Sequence, residues 1–272
     1  MLFPSQIAPM SAAPDPSLFS HLSLGGFRYL PITTSTNDEA FAWIEQEACD
    51  CSVIIADAQT QGRGRADHRW LTTPTASLAF SLILKPTPYE AAFVCRLTAL
   101  AALALLDLLK KQFEIAALIK WPNDVLIENK KVAGILVENY WQQDALQASV
   151  IGMGINLTPA SVPTSTDLRH PAACLQDFCH VHIERWQLLA DLLQQITTLR
   201  SYIAMPAFLQ KWNDALAYRG QLVTIHAPSS PPRTVTLLGI ADDGTLIVQD
   251  PTGHIDHLLA ADLSLSTASS SN

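Results

Sequence analysis

The sequence predicts an α+β chain with a mixed, largely antiparallel central sheet, flanking helices and a small C-terminal β-barrel. Three observations predict it. Leu78, Phe80, Leu82 and Leu84 alternate at strand period within Ser77 to Leu84, next to a long alanine- and leucine-rich helical pattern over 89–112. Four apolar runs between Leu118 and Leu157 are separated by connections too short for crossover helices, which implies antiparallel pairing. After Arg219-Gly220 the chain turns to short strands with hairpin signals such as Asp243-Gly244. With 49% hydrophobic and 15% charged residues in 272, the chain is globular and able to bury a large core.

Taken in order, residues 1–26 carry four prolines and no apolar period, and read as a poorly ordered lead-in, too short for a helix-turn-helix domain. Phe27 to Leu30 is a short strand. Ser35 with Asp38, or Thr36 with Glu39, makes a capping-box signature before a helix over 36–48. Val53 to Ala56 is a buried strand. The helix over 89–112 ends on Lys110 and Lys111, which suit the helix dipole, and its apolar stretch Leu97 to Leu109 is too short to span a bilayer.

Strands follow at 118–121, 125–127, 132–140 and 146–157, then a Pro/Ser/Thr-rich loop at 159–170. Helices are expected at 171–179, 183–203 and 206–217. Strands at 222–226, 234–240, 246–249 and 255–259 complete the terminal barrel. The domain reading is a larger unit over 27–217 and a small one over 218–268.

The formal net charge of −8 argues against counterion-driven binding of nucleic acid. Within this acidic chain, the stretch Gln59-Thr60-Gln61-Gly62-Arg63-Gly64-Arg65-Ala66-Asp67-His68-Arg69-Trp70 concentrates three guanidinium groups beside glycines. Glycine exposes backbone N–H groups and arginine forks onto carboxylate or phosphate, so the loop suits a small anion, and equally suits a solvated turn. The five cysteines include no C-x-x-C pair. Cys174, Cys179, His180 and His182 fit no standard zinc spacing, which favours free thiols in a reducing cytosol. No basic segment followed by an apolar run marks a signal peptide, so a cytoplasmic, membrane-free protein is expected.

Four further segments place polar groups or glycine at strand ends and helix starts: Ser35-Thr36-Asn37, Lys120-Trp121-Pro122-Asn123-Asp124, Lys131-Val132-Ala133-Gly134-Ile135-Leu136-Val137-Glu138 and Gly152-Met153-Gly154-Ile155-Asn156. In this order, with the arginine loop, they resemble the biotin protein ligase family, and the terminal barrel resembles that family's small C-terminal domain. The resemblance covers about residues 35–157. It implies a fold like that of class II aminoacyl-tRNA synthetases and biotin ligases.

It also implies a two-step reaction in the larger domain. Biotin carboxylate attacks the α-phosphate of Mg·ATP, and a lysine of the biotin carboxyl carrier protein of acetyl-CoA carboxylase then takes the acyl group. By resemblance, Arg63 forks between carboxylate and phosphate, Lys131 supplies a point charge, and Asp124 sits near the metal and phosphates or faces the incoming lysine. Ser35, Thr36, Asn37 and Gln59, with groups around Gly64 and Arg65, would hold the ureido ring. Gly134 and Gly154 would pass the valeryl chain. Arg65, Arg69, Trp70, Lys120, Asn123 and Asn156 would line the adenylate side, with loop 159–170 closing over the adenine.

No resident metal or prosthetic group is implied; Mg²⁺ comes with ATP, near Asp124. The chain departs from the family pattern at Asp67 and His68, where glycine and arginine are frequent, and at Thr34, where aspartate is frequent. Lipoate ligases and octanoyltransferases are the nearest rival, but their arginine pair followed by a glycine-rich stretch is missing. With 26 residues ahead of the larger domain, no repressor function and no DNA partner are expected. Monomer and homodimer both remain open.

Overall fold

The computed structural model describes residues 12–65, 68–163, 171–226 and 231–266. A seven-stranded sheet forms the frame: β1 (Gly26–Thr33), β2 (Ser52–Gln59), β3 (Ser77–Leu84), β4 (Leu118–Lys120), β5 (Asp124–Ile127), β6 (Lys130–Gln142) and β7 (Ala145–Asn156). Its order is β1-β2-β3-β7-β6-β5-β4, with β1 and β2 parallel and every other pair antiparallel. The mixed, largely antiparallel sheet follows from the short turns, as expected.

Two layers cover the sheet unequally. α3 (Leu97–Phe113) and α4 (Arg185–Arg200) pack on one face, joined by α5 (Pro206–Asp214). α1 (Thr36–Ile44) packs on the other, where Ala40 and Ile44 meet Ile54, Ile83 and Val150. This explains a departure from the alternating pattern: all eight residues of β3 are buried. Leu78, Phe80, Leu82 and Leu84 face the α3 side, while Ser81 is buried under α1 and donates to Asn37 Oδ1 at 2.6 Å. α1 is short, and beyond it the same face is left open.

Four local expectations are corrected. The helix over 89–112 is broken: α2 (Pro88–Ala91) is closed by a Thr87–Glu90 capping box, and a 3-10 turn (Val94–Arg96) precedes α3. At this turn Arg96 points inward to the Ile203 carbonyl (2.9 Å), a contact that a continuous helix would have to forgo. Residues 171–179 are not a helix. Lys131 N–H donates to the Pro171 carbonyl and Ala173 N–H to the Lys131 carbonyl, so this segment pairs with β6 and makes one 3-10 turn, Leu175–Phe178. The capping box at 35–39 does not form: the Asp38 carboxylate accepts from Arg63 and that of Glu39 from Thr33, while Thr36 N–H is taken by the Gln59 side chain at 2.8 Å. Finally, the lead-in carries structure from Pro16 to Phe19, a 3-10 turn capped by Asp15, with Phe19 buried against Phe27.

The C-terminal part is a five-stranded antiparallel sheet of β8 (Leu222–His226), β9 (Arg233–Ile240), β10 (Leu246–Gln249), β11 (Ile255–Leu258) and β12 (Asp262–Leu265), ordered β11-β10-β9-β8-β12. β12 was not expected, although Asp262-Leu263-Ser264-Leu265 alternates. It pairs with β8 and turns Asp262 toward the open face of the main sheet. No helix among the described residues is long and apolar enough to cross a membrane.

Arg200, at the end of α4, ties distant segments together. It donates to Glu90 Oε1 at 2.8 Å, Asp50 Oδ2 at 2.7 Å and the Lys85 carbonyl at 3.1 Å. Arg200→Ala is expected to lower stability by about 2–3 kcal/mol, less than a fully buried pair because Asp50 is open to solvent. Calorimetry would read this as a fall in Tm of roughly 5–10 °C. Burial opposes ionisation of Glu90, but the hydrogen bonds from Arg200 and Thr87 and the Arg200 charge together outweigh it and hold its pKa below the ordinary 4.5. Its contribution is therefore present above that value and lost as pH falls through the lowered one, so the gap between wild type and variant should narrow in acid.

Candidate active site

The open half of the α1 face forms a cleft of about 850 Å³. Its floor is β6 and β7, where Gly134 pairs with Gly154 and Leu136 with Gly152. Its roof is the arginine loop, drawn into a narrow hairpin by a backbone bridge between Arg63 and Arg69 and by Trp70 N–H donating to the Gly62 carbonyl at 2.9 Å. Asp262 and Ala261 of the C-terminal sheet close one side.

The glycines of the floor are explained by what lies on them. A Cβ at Gly154 would run into the Trp70 indole, and one at Gly134 would press the same ring at 3.1 Å and Lys131 at 3.3 Å. A Cβ at Gly152 would collide with the Asn37 amide. The surface over Gly134 and Gly154, expected to carry an apolar ligand chain directly, is thus taken by Trp70, whose Nε1 is buried without a hydrogen-bond partner among the described residues.

At the α1 end the polar groups form one network. Gln59 Oε1 accepts from Thr36 N–H (2.8 Å) and Thr36 Oγ1 (3.1 Å). Ser81 Oγ bridges Thr36 and Asn37. Ser35 is buried at the N-cap position and borders the cleft. The groups of this network are uncharged and rich in donors and acceptors, with the Glu138 carboxylate behind Asn37.

The opposite end is charged. Lys131 Nζ lies 2.6 Å from Asp124 Oδ1 and 5.8 Å from the Trp70 ring centroid. Its backbone is pinned on both sides, by Pro171 and Ala173, so the ammonium rises from a fixed point. Lys120 is buried and reaches Asp262 Oδ1 at 3.1 Å; burial pushes its pKa down, against the pull of Asp262 and Asp124. Arg65 is likewise lowered by burial and raised by the same two carboxylates, yet an arginine stays charged at neutral pH. Arg65, Lys131 and Lys120 thus share one region with Asp124 and Asp262.

Several expected site residues behave differently. Arg63, expected to face the reacting anions, forks onto Glu138 (3.0 and 2.9 Å) and also reaches Asp38 (2.7 Å). Asn123 staples its turn, donating from Nδ2 to the Ile135 carbonyl at 3.0 Å. Asn156 is buried and donates to the Ala173 carbonyl at 3.0 Å, with its side chain still bordering the cleft. Gly64 N–H is used within the loop, on the His68 carbonyl. Arg69 borders the cleft. His68 closes the hairpin, whereas Asp67, and residues 164–170 of the adenine-side loop, lie outside the described residues. Asp262 and Glu138 were not expected: Asp262 carries no motif, and Glu138 stood unremarked at the end of one.

All five cysteines are free, and burial raises the Cys51 thiol to about 11. No cluster of three metal-ligating side chains occurs among the described residues.

Residues 29–156 match the family model of the biotin/lipoate A/B protein ligases. The biotin–[acetyl-CoA-carboxylase] ligase of Paracoccus denitrificans is 30% identical over 237 residues, covering 81% of this chain and 93% of that one. The chain belongs to the biotin protein ligase family. Within that family, the bifunctional ligase/repressor BirA of Bacillus subtilis is 29% identical over 252 residues, 87% of this chain and 73% of its own. The biotin protein ligase of Aquifex aeolicus, solved in complex with biotin and ATP, superposes with a TM-score of 0.73 at 25% identity. That match covers 89% of this chain and 99% of the other. The chain is a ligase with the family's fold, and its cleft lies among the motifs that announced it.

Proposed function

We propose that the chain activates biotin with Mg·ATP as biotinoyl-5′-AMP and transfers the acyl group to one lysine of a biotin carboxyl carrier protein of acetyl-CoA carboxylase. One observation carries the reading. A single cleft has a neutral hydrogen-bonding end at Thr36, Asn37 and Gln59 and a cationic end at Lys131 and Arg65, with a glycine floor between them. Biotin has the matching order: a ureido ring, an apolar chain and a carboxylate. At about 3.3 Å per residue, the strands separate the two ends by several residues, a span suited to such a chain. The relatives' names and the Aquifex complex support the same choice.

In the first step a biotin carboxylate oxygen attacks the α-phosphorus and pyrophosphate leaves. Two anions must meet, so cations have to neutralise both before attack. Lys131 and Arg65 are placed for this, with Lys120 and Arg69 nearby. Both carboxylates at this end already hold lysines, so Mg²⁺ suits the site as a companion of the phosphate oxygens rather than as a resident ion. When phosphate draws Lys131 away, Asp124 is released. It can then accept a proton from the incoming lysine, whose neutral amine attacks the mixed anhydride and expels AMP. The apolar chain of biotin crosses the exposed side of the Trp70 ring, which the floor glycines hold flush with the sheet.

Mass spectrometry of a purified carrier domain incubated with the full chain, biotin and Mg·ATP tests the proposal. One biotinyl group on one lysine is expected, and an unmodified carrier would refute it. Arg65→Ala should raise the ATP KM by about 10–100-fold, the loss of a charge-assisted contact of roughly 1.5–3 kcal/mol. It should also release activated biotin to bystander lysines, measured as biotin on an unrelated protein added to the assay.

A further inference from the structure

We propose that Glu138 is a positioning residue that locks the arginine loop to the ring-binding end of the cleft. Its carboxylate accepts three hydrogen bonds: two from the Arg63 fork at 3.0 and 2.9 Å, and one from Asn37 Nδ2 at 2.7 Å. Glu138 stands on β6 opposite Val150, on the sheet face that α1 covers, so it sits where loop, helix and sheet meet.

Two consequences follow from the chemistry of a carboxylate. It only accepts, so it fixes which way the Asn37 amide points on the border of the cleft: Nδ2 toward Glu138, and Oδ1 toward Ser81. Without it, Nδ2 keeps the Leu136 carbonyl at 3.5 Å, too long to hold an amide against rotation. A ligand ring that presents both N–H and C=O groups depends on that orientation. The fork also ties the first limb of the arginine loop to the floor, because a bidentate pair restrains a guanidinium in plane and direction. Arg63 thus acts through Glu138, leaving the anions to Arg65 and Lys131.

The kinetic part rests on the proposed biotin chemistry; the loop part does not, and the test separates them. In ligand-free protein, Glu138→Gln should speed tryptic cleavage within residues 62–70 about tenfold. In the assay it should raise the biotin KM about tenfold while kcat stays within about threefold, and Glu138→Asp should recover most of the loss. Should Glu138→Gln fail to fold, Arg63→Lys, which keeps the charge and loses the fork, gives the same two readouts. Unchanged cleavage would overturn the clasp. Faster cleavage with an unchanged biotin KM would overturn the positioning role. Wild-type protein without biotin-dependent activity would instead refute the proposed function, while the cleavage rates still report on the clasp.

Discussion

Lys131→Ala is expected to lower adenylate formation by about a thousandfold or more while leaving the fold intact. Removing one preorganised charge donor from a transition state costs roughly 10²–10³ in rate. Lys131 stands at the upper end because its backbone is fixed by Pro171 and Ala173 and its ammonium has only to leave Asp124 for the phosphate. The loss should fall on kcat, since the charge that Lys131 answers is largest at the pentacoordinate phosphorus. The substitution leaves Asp124 without its lysine, but that carboxylate borders the cleft and not the hydrophobic core. Single-turnover pyrophosphate release measures the rate, and an unchanged melting curve excludes unfolding.

Gly154→Val is expected to raise the biotin KM by about a hundredfold or more. The added carbons meet the Trp70 ring at once, and the ring's indole N–H has no hydrogen bond to hold it in place. Packing and the Lys131 ammonium seat the Trp70 ring, so the displaced ring swings out into the cleft proposed for biotin. Gly154→Ala should do the same to a smaller degree. Stability should change little by comparison, because the displaced ring moves toward solvent and not into the core. Isothermal titration with biotin alone separates this binding defect from any effect on catalysis.

Much of the architecture was legible because pattern and environment agree. Short turns among β4 to β7 impose antiparallel pairing, and the motifs stand at the strand ends that border the cleft. What escaped has physical causes. Period two in β3 marked one face, but Ser81, polar by type, is buried by α1 on the other. The helix over 89–112 looked continuous because its composition is; a single inward arginine, Arg96, breaks it through partners more than a hundred residues away.

The site shows the same limit. Arg63, Arg65 and Arg69 are alike in sequence, and their separation into a clasp, a half-buried cation and an exposed rim residue depends on the tertiary surroundings each meets. Glu138 and Asp262 come from distant positions, so no local pattern could pair them with Arg63 and Lys120. Gly134 and Gly154 were expected to face an apolar ligand chain, and the group that lies on them in this structure is Trp70.

The central claim is that this cleft activates biotin at the expense of ATP. Acid-dependent exchange of labelled pyrophosphate into ATP, run with the full chain and no carrier, tests it most directly. Exchange is expected with biotin, none with lipoate or octanoate, and its loss in Lys131→Ala. Exchange with lipoate but not biotin, or full exchange in Lys131→Ala, would contradict it.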